Sequence, residues 1–173
     1  MKLSKELAML KLAAKFANKK DYAARLHVVN FVKCDDNRSE LQATNGHVAI
    51  KINFEGDFLP ENNILQYEVC AIETACKVNN VSLLEAGYAG RFPTFEKVFT
   101  DNTAQNPNRA TFDIKYMALI FKALEAFCKD TKCKFKAVTF EPLRSNNANF
   151  LLCKIEDLTI EIAIMPIINK VKK

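Results

Sequence analysis

The sequence predicts an α+β fold on three observations. Two lysine-rich amphipathic helices stand one at the N-terminus and one past the middle of the chain. Short β-branched and aromatic runs, separated by turn residues, follow each of them. Both halves therefore read helix then strands, with no residue-level repeat between them. A length of 173 residues at 49% hydrophobic content suffices for one full core or for two small domains.

The first helix is predicted from Ser4 to about Lys19, a stretch rich in Leu, Ala, Lys and Glu with almost no helix breaker. Leu3, Leu7, Leu10, Ala14 and Ala17 fall on one side, and Lys5, Lys11, Lys15 and Lys19 on a separate arc of about 120°. After a polar break at 18–21, residues 26–33 read as a strand ended by the turn Cys34-Asp35-Asp36-Asn37-Arg38. The alternating segments 40–44 and 47–54 then flank Asn45-Gly46, which can supply two positive-φ residues to a tight hairpin turn. Loop chemistry at 55–63 precedes a strand at 64–69 and a short helix at 71–78.

Residues 79–108 carry Gly87, Gly90, Pro93 and Pro107 and read as an irregular connector. Phe92, Phe95 and Phe99 within it need burial, as an aromatic plug under a loop. The second strong helix spans 112–128, capped by Asp113 or Thr111. Tyr116, Met117, Ile120, Phe121, Leu124, Phe127 and Cys128 form its apolar face, while Lys115, Lys122 and Lys129 recur on the other side. Three strand-like runs follow at 135–141, 149–154 and 158–165, the last stopped by Met165-Pro166.

Several functions have little support. The charged fraction of 26% and the lack of a long apolar run argue against a membrane span, and the N-terminus lacks the apolar stretch of a signal peptide, so a cytoplasmic location is expected. Six scattered cysteines without a C-x2-C pair, and only His27 and His47, leave no metal site, and no cofactor is implied. Cys34 or Cys70 with His47 would be the nucleophilic pair of an enzyme. No orienting carboxylate, glycine-rich phosphate loop or paired acids accompany them, and the chain is read as non-enzymatic. A net charge of +5 permits a nucleic-acid partner, and lysine, a flexible hydrated point charge, suits a sliding contact with phosphates.

Three segments carry a resemblance. Ala43-Thr44-Asn45-Gly46-His47-Val48-Ala49 resembles the Ala-Thr-Asp-Gly-His-Arg-Leu-Ala signature of the bacterial processivity clamp, the beta subunit of DNA polymerase III. Gly90-Arg91-Phe92-Pro93-Thr94-Phe95-Glu96-Lys97-Val98 looks like that family's Gly-Arg-Phe-Pro-Asp-Tyr-x-x-Val, and Met165-Pro166-Ile167 like its C-terminal Met-Pro-Met. The resemblance implies a DNA-clamp-like fold of lysine-rich helices packed on antiparallel sheets. It implies a homo-oligomer around duplex DNA that tethers a polymerase or other clamp-binding-motif protein, with a clamp loader as a further partner. Lys5, Lys11, Lys15, Lys19, Lys115, Lys122 and Lys129 would face DNA. Thr44, Gly46, His47, Met165 and Pro166 would line the peptide pocket, with Val48 and Ala49 departing from the family's arginine and leucine. The chain is too short for three clamp domains, which leaves one domain over 1–173 or two compressed half-units at 1–99 and 100–173. A clamp-like regulator that binds DNA or competes for clients without forming a ring is the alternative.

Overall fold

The Ser4 hydroxyl accepts a hydrogen bond from the Leu7 N–H and starts helix α1 (Lys5–Ala14). The computed structural model describes residues 3–18, 26–34, 37–56, 64–84, 92–93, 95, 112–133, 138–145, 148–155 and 158–164, with residue 64 and the strands at 138–145 and 148–155 described in their backbone alone. After α1 come β1 (Val28–Lys33), β2 (Arg38–Thr44), β3 (Val48–Glu55), β4 (Ile64–Glu68) and α2 (Val69–Val78). A 3-10 turn (Val81–Leu83), α3 (Ile114–Thr131), β5 (Val138–Ser145), β6 (Ala148–Ile155) and β7 (Leu158–Ile164) follow.

The strands form one antiparallel sheet in the order β4-β1-β2-β3-β7-β6-β5. Its central seam joins strands far apart in sequence, with Val48 opposite Ile164, Ile50 opposite Ile162 and Ile52 opposite Ile160. Alternation sorts the two faces. Val48, Ile50, Ile52 and Phe54 of β3, with Leu158, Ile160, Ile162 and Ile164 of β7, enter the main core under the helices. Polar side chains occupy the opposite face, where Asn30 donates to Gln42 and Glu161 holds both Lys51 and Asn53. Pro142 lies in β5, the strand at one end of the sheet order, beside a register shift between Glu141 and Ser145. A proline is tolerated there because it interrupts no ladder on its outer side.

Helix α1 corrects the expectation of one apolar side. Leu7, Ala8, Met9, Leu10, Leu12, Ala13 and Ala14 are all buried, because α1 packs against α2, against α3 and on the sheet. It also stops before Lys19. The Lys15 and Phe16 N–H groups bond to the carbonyls of Leu12 and Ala13, a tightened turn that drives Phe16 into the core. Strand β4 runs directly into α2, and Asn79 closes that helix at φ 51° while its side-chain oxygen accepts from the Ser4 N–H.

Asp113 caps α3 by accepting from the Lys115 N–H at 2.9 Å, one of the two residues expected in that role. The helix runs past Cys128 to Thr131 and buries Ile120, Ala123, Leu124 and Phe127. Phe121, expected on the apolar face, is exposed. Most of the connector lies outside the described residues. Phe92 and Phe95 are described, with ring centroids 5.3 Å apart, and they pack on Ala49 and Ala163 across the sheet from the helices, so the aromatic plug is present for these two.

Candidate functional site

The helix layer holds the lysines. A groove between α1 and α3 is lined by Ala8, Lys11, Leu12, Lys15, Ala123, Ala126, Phe127 and Asp130. Lys122 and Lys129 lie one turn before and after Ala126 on the same side of α3, so the two stripes border one groove. The expected lysines are not equivalent. Lys11 is held by Asp130 at 2.7 Å, and Lys115 by Asp113 at 3.2 Å with its ammonium 4.8 Å above the Tyr116 ring. Lys5, Lys15, Lys122 and Lys129 are exposed, and Lys19 lies outside the described residues.

A second cleft, between α1 and α2, has a volume of about 360 Å³ and is lined by Lys11, Ala14, Lys15, Ile72, Glu73, Cys76 and Lys77. Lys77 is an addition to the expected set. It stands in the last turn of a ten-residue helix, where a lysine ordinarily serves the helix dipole, so sequence alone assigns it no partner. Burial raises the Cys76 thiol above its usual range, and its sulfur donates to the Leu7 carbonyl.

At the hairpin tip, Gly46 has φ +88° and Asn45 does not adopt positive φ, so the turn is shifted by one residue from the expected pair. Gly46 and His47 take the central positions. The Asn45 side-chain oxygen accepts from the N–H groups of His47 and Val48, both at 3.0 Å. The buried Thr44 hydroxyl accepts from the Gly46 N–H and donates to the Val48 carbonyl. A Cβ at position 46 would meet no atom within 4 Å, so what opposes Gly46→Val is the strain of a β-branched residue at φ +88°. It is expected to destabilise by about 1–3 kcal/mol, read as a lower denaturation midpoint, whereas unchanged stability would deny the turn its dependence on glycine.

This turn positions His47 for a stack on Tyr116 of α3, with centroids 5.2 Å apart and planes 21° from parallel. Tyr116, on the apolar face of α3 as its period predicts, is half-buried against the core and carries this stack as well. Asp113 is depressed below the ordinary carboxylate range, first by the Lys115 N–H bond and further by the Lys115 ammonium and by His47. The Asp113 carboxylate in turn raises Lys115. Thr44, Gly46, His47, Asp113, Lys115 and Tyr116 thus meet where the hairpin touches the start of α3. Met165 and Pro166 lie outside the described residues, but Ile164, the residue before them, pairs with Val48, the residue after His47.

The alternative nucleophile pairs are not assembled. Cys34 is bonded through its N–H to Arg38, at the end of β2 away from His47, roughly 20 Å off at about 3.3 Å per strand residue. Cys70 donates to Glu68, which raises the thiol instead of activating it. Among the described residues, no three His, Cys, Asp or Glu side chains gather for a metal, and no helix is long and apolar enough to cross a membrane.

No family model and no curated protein matches the chain. Solved structures do. The DNA polymerase III beta subunit of Borrelia burgdorferi, in complex with a natural product, matches 94% of this chain with a TM-score of 0.66 at 11% identity. The sliding clamp of Bacillus subtilis matches 96% with a TM-score of 0.67 at 9% identity, and the beta subunit of Pseudomonas aeruginosa bound to griselimycin matches 94% with 0.65 at 11%. The matches cover 62%, 63% and 64% of those chains, respectively, so this chain spans less than two thirds of their length. At such identities the likeness carries the fold alone, and that fold is the α+β architecture of DNA sliding clamps.

Proposed function

We propose that this chain is a sliding-clamp-like processivity factor, a clamp-like unit that assembles in several copies around duplex DNA and tethers a polymerase or another replication client. One observation supports this above the others. Lysines of α1, α2 and α3 border two adjoining clefts of one helix layer, and the hairpin tip meets that layer at the N-terminal end of α3. Such a layer offers phosphates many weak, movable contacts and no reading of bases. The work is topological, without bond chemistry, and needs no cofactor. A clamp loader would open the ring in the cytoplasm.

The client site is the hairpin tip. His47 stacked on Tyr116 supplies a polar-edged aromatic wall and Phe92 an apolar surface on the other face of β3, and the proposal adds Met165 and Pro166, next in sequence after Ile164, as an adaptable anchor. A peptide carrying glutamine followed by leucine and phenylalanine should bind, and Met165→Lys and Tyr116→Ala should each weaken it about tenfold or more, as loss of one anchor contact does. Equal binding by wild type and variants, or none by a folded wild type, would remove the client site. The short chain favours a second reading, a regulator that contacts DNA or competes for clients without encircling it. Molar mass in solution separates the two, because one copy cannot surround a duplex.

A further inference from the structure

We propose that Asp130 is a competitor for DNA built into the helix layer, its carboxylate occupying the Lys11 ammonium that a backbone phosphate would otherwise take. The proposal rests on the DNA-facing reading above and adds the residue that limits the grip. Lys11 and Lys15 are the two residues that line both clefts, so they stand on the ridge of α1 between them. Lys15 is exposed, whereas Lys11 is half-buried and its Nζ donates to Asp130 Oδ2 at 2.7 Å. Asp130 is the one acid among the residues that line the groove between α1 and α3.

A lysine on a helix commonly pairs with an acid three or four positions along the same helix. Asp130 is 119 positions from Lys11, and only the packing of α3 on α1 brings it there. The two side chains are 37% and 22% exposed, so the pair stays within reach of an incoming phosphate. A pair with that much access to water is weak enough for a phosphate to displace, but the displacement subtracts from what the new contact yields. The most central ammonium of the layer is therefore the one already neutralised, while the exposed Lys15, Lys122 and Lys129 border it. Such a layer attracts a duplex from its borders and holds it loosely at its centre, which suits a contact that must move along the phosphates. The competing role for the pair is a staple between α1 and α3, which predicts lost stability and unchanged DNA affinity when Asp130 is replaced.

The test is duplex binding across a salt series for the full chain as wild type, Asp130→Asn, Lys11→Gln/Asp130→Asn and, as a charge control, Glu125→Gln, whose exposed side chain stands on α3 outside both clefts. Asp130→Asn should bind about tenfold more tightly at 50 mM salt and about threefold at 200 mM, with a log–log slope steeper by about 0.9, the share of one added phosphate contact. The double variant should match the wild type within about twofold, because the pair as it stands gives phosphates little. Glu125→Gln changes the net charge equally but from farther away, and should gain about twofold at most. Circular dichroism verifies folding, and Asp130→Ser serves should the asparagine variant misfold. No gain from Asp130→Asn while wild-type binding weakens with salt would strike the competitor alone, as would an equal gain from Glu125→Gln or a double variant weaker than the wild type. Absence of salt-dependent binding by wild type and Asp130→Asn alike would remove the DNA-facing reading and this proposal with it.

Discussion

Replacing Lys15, Lys77, Lys122 and Lys129 together by glutamine is expected to lower the salt dependence of duplex binding by about 3 to 4 in the log–log slope. Each lysine that neutralises a phosphate releases roughly 0.9 counterion, so four lost contacts give that change and weaken binding at low salt for every sequence alike. The choice of residues follows from the ion pairs. Lys11 and Lys115 already hold Asp130 and Asp113, so a phosphate must compete with a carboxylate for them, and their replacement should change the slope less. Lys11→Gln should also cost stability, because it leaves the partly buried Asp130 without its cation. The measurement is filter or fluorescence binding to one duplex across a salt series. An unchanged slope in the quadruple variant would return these lysines to the role of a solvated face.

Ile160→Ala is expected to destabilise the chain by about 2–5 kcal/mol, the range for truncating a buried aliphatic side chain where a cavity remains. Ile160 is fully buried on β7, between Ile52 of β3 and Cys153 of β6 in register. The β3–β7 seam joins residues 28–68 to residues 138–164, so a loss there should lower the unfolding midpoint of both halves together. Probes placed in each half during denaturation check this. A shift confined to the C-terminal strands would mean that the halves fold separately.

Much of this arrangement was legible in the sequence, because local physics determines it. The helical periods, the cap at Asp113, the alternation of β2 and β3 and the presence of a tight turn at Gly46, though one residue off the expected pair, involve residues within a few positions of one another. The segments at 43–49, 90–98 and 165–167 further marked the clamp-like fold, although the last lies outside the described residues and Phe92, Pro93 and Phe95 represent the second.

What remained hidden was decided by neighbours distant in the chain. Periodicity assigns a helix its apolar side but not how many neighbours it has, so α1 proved buried nearly all round and Phe121 proved exposed. Charge spacing placed Lys11 in a stripe, yet Asp130, 119 positions away, claims it. Tyr116 lies on the apolar face as its period requires and packs against the core, but the stack it makes with His47 of the distant hairpin tip has no signal in the helix's own sequence. The pairing of β3 with β7 has the same origin. Hydrogen bonding between strands carries no signal in either strand's sequence beyond a shared alternation, and only the closure of the whole sheet selects the partner.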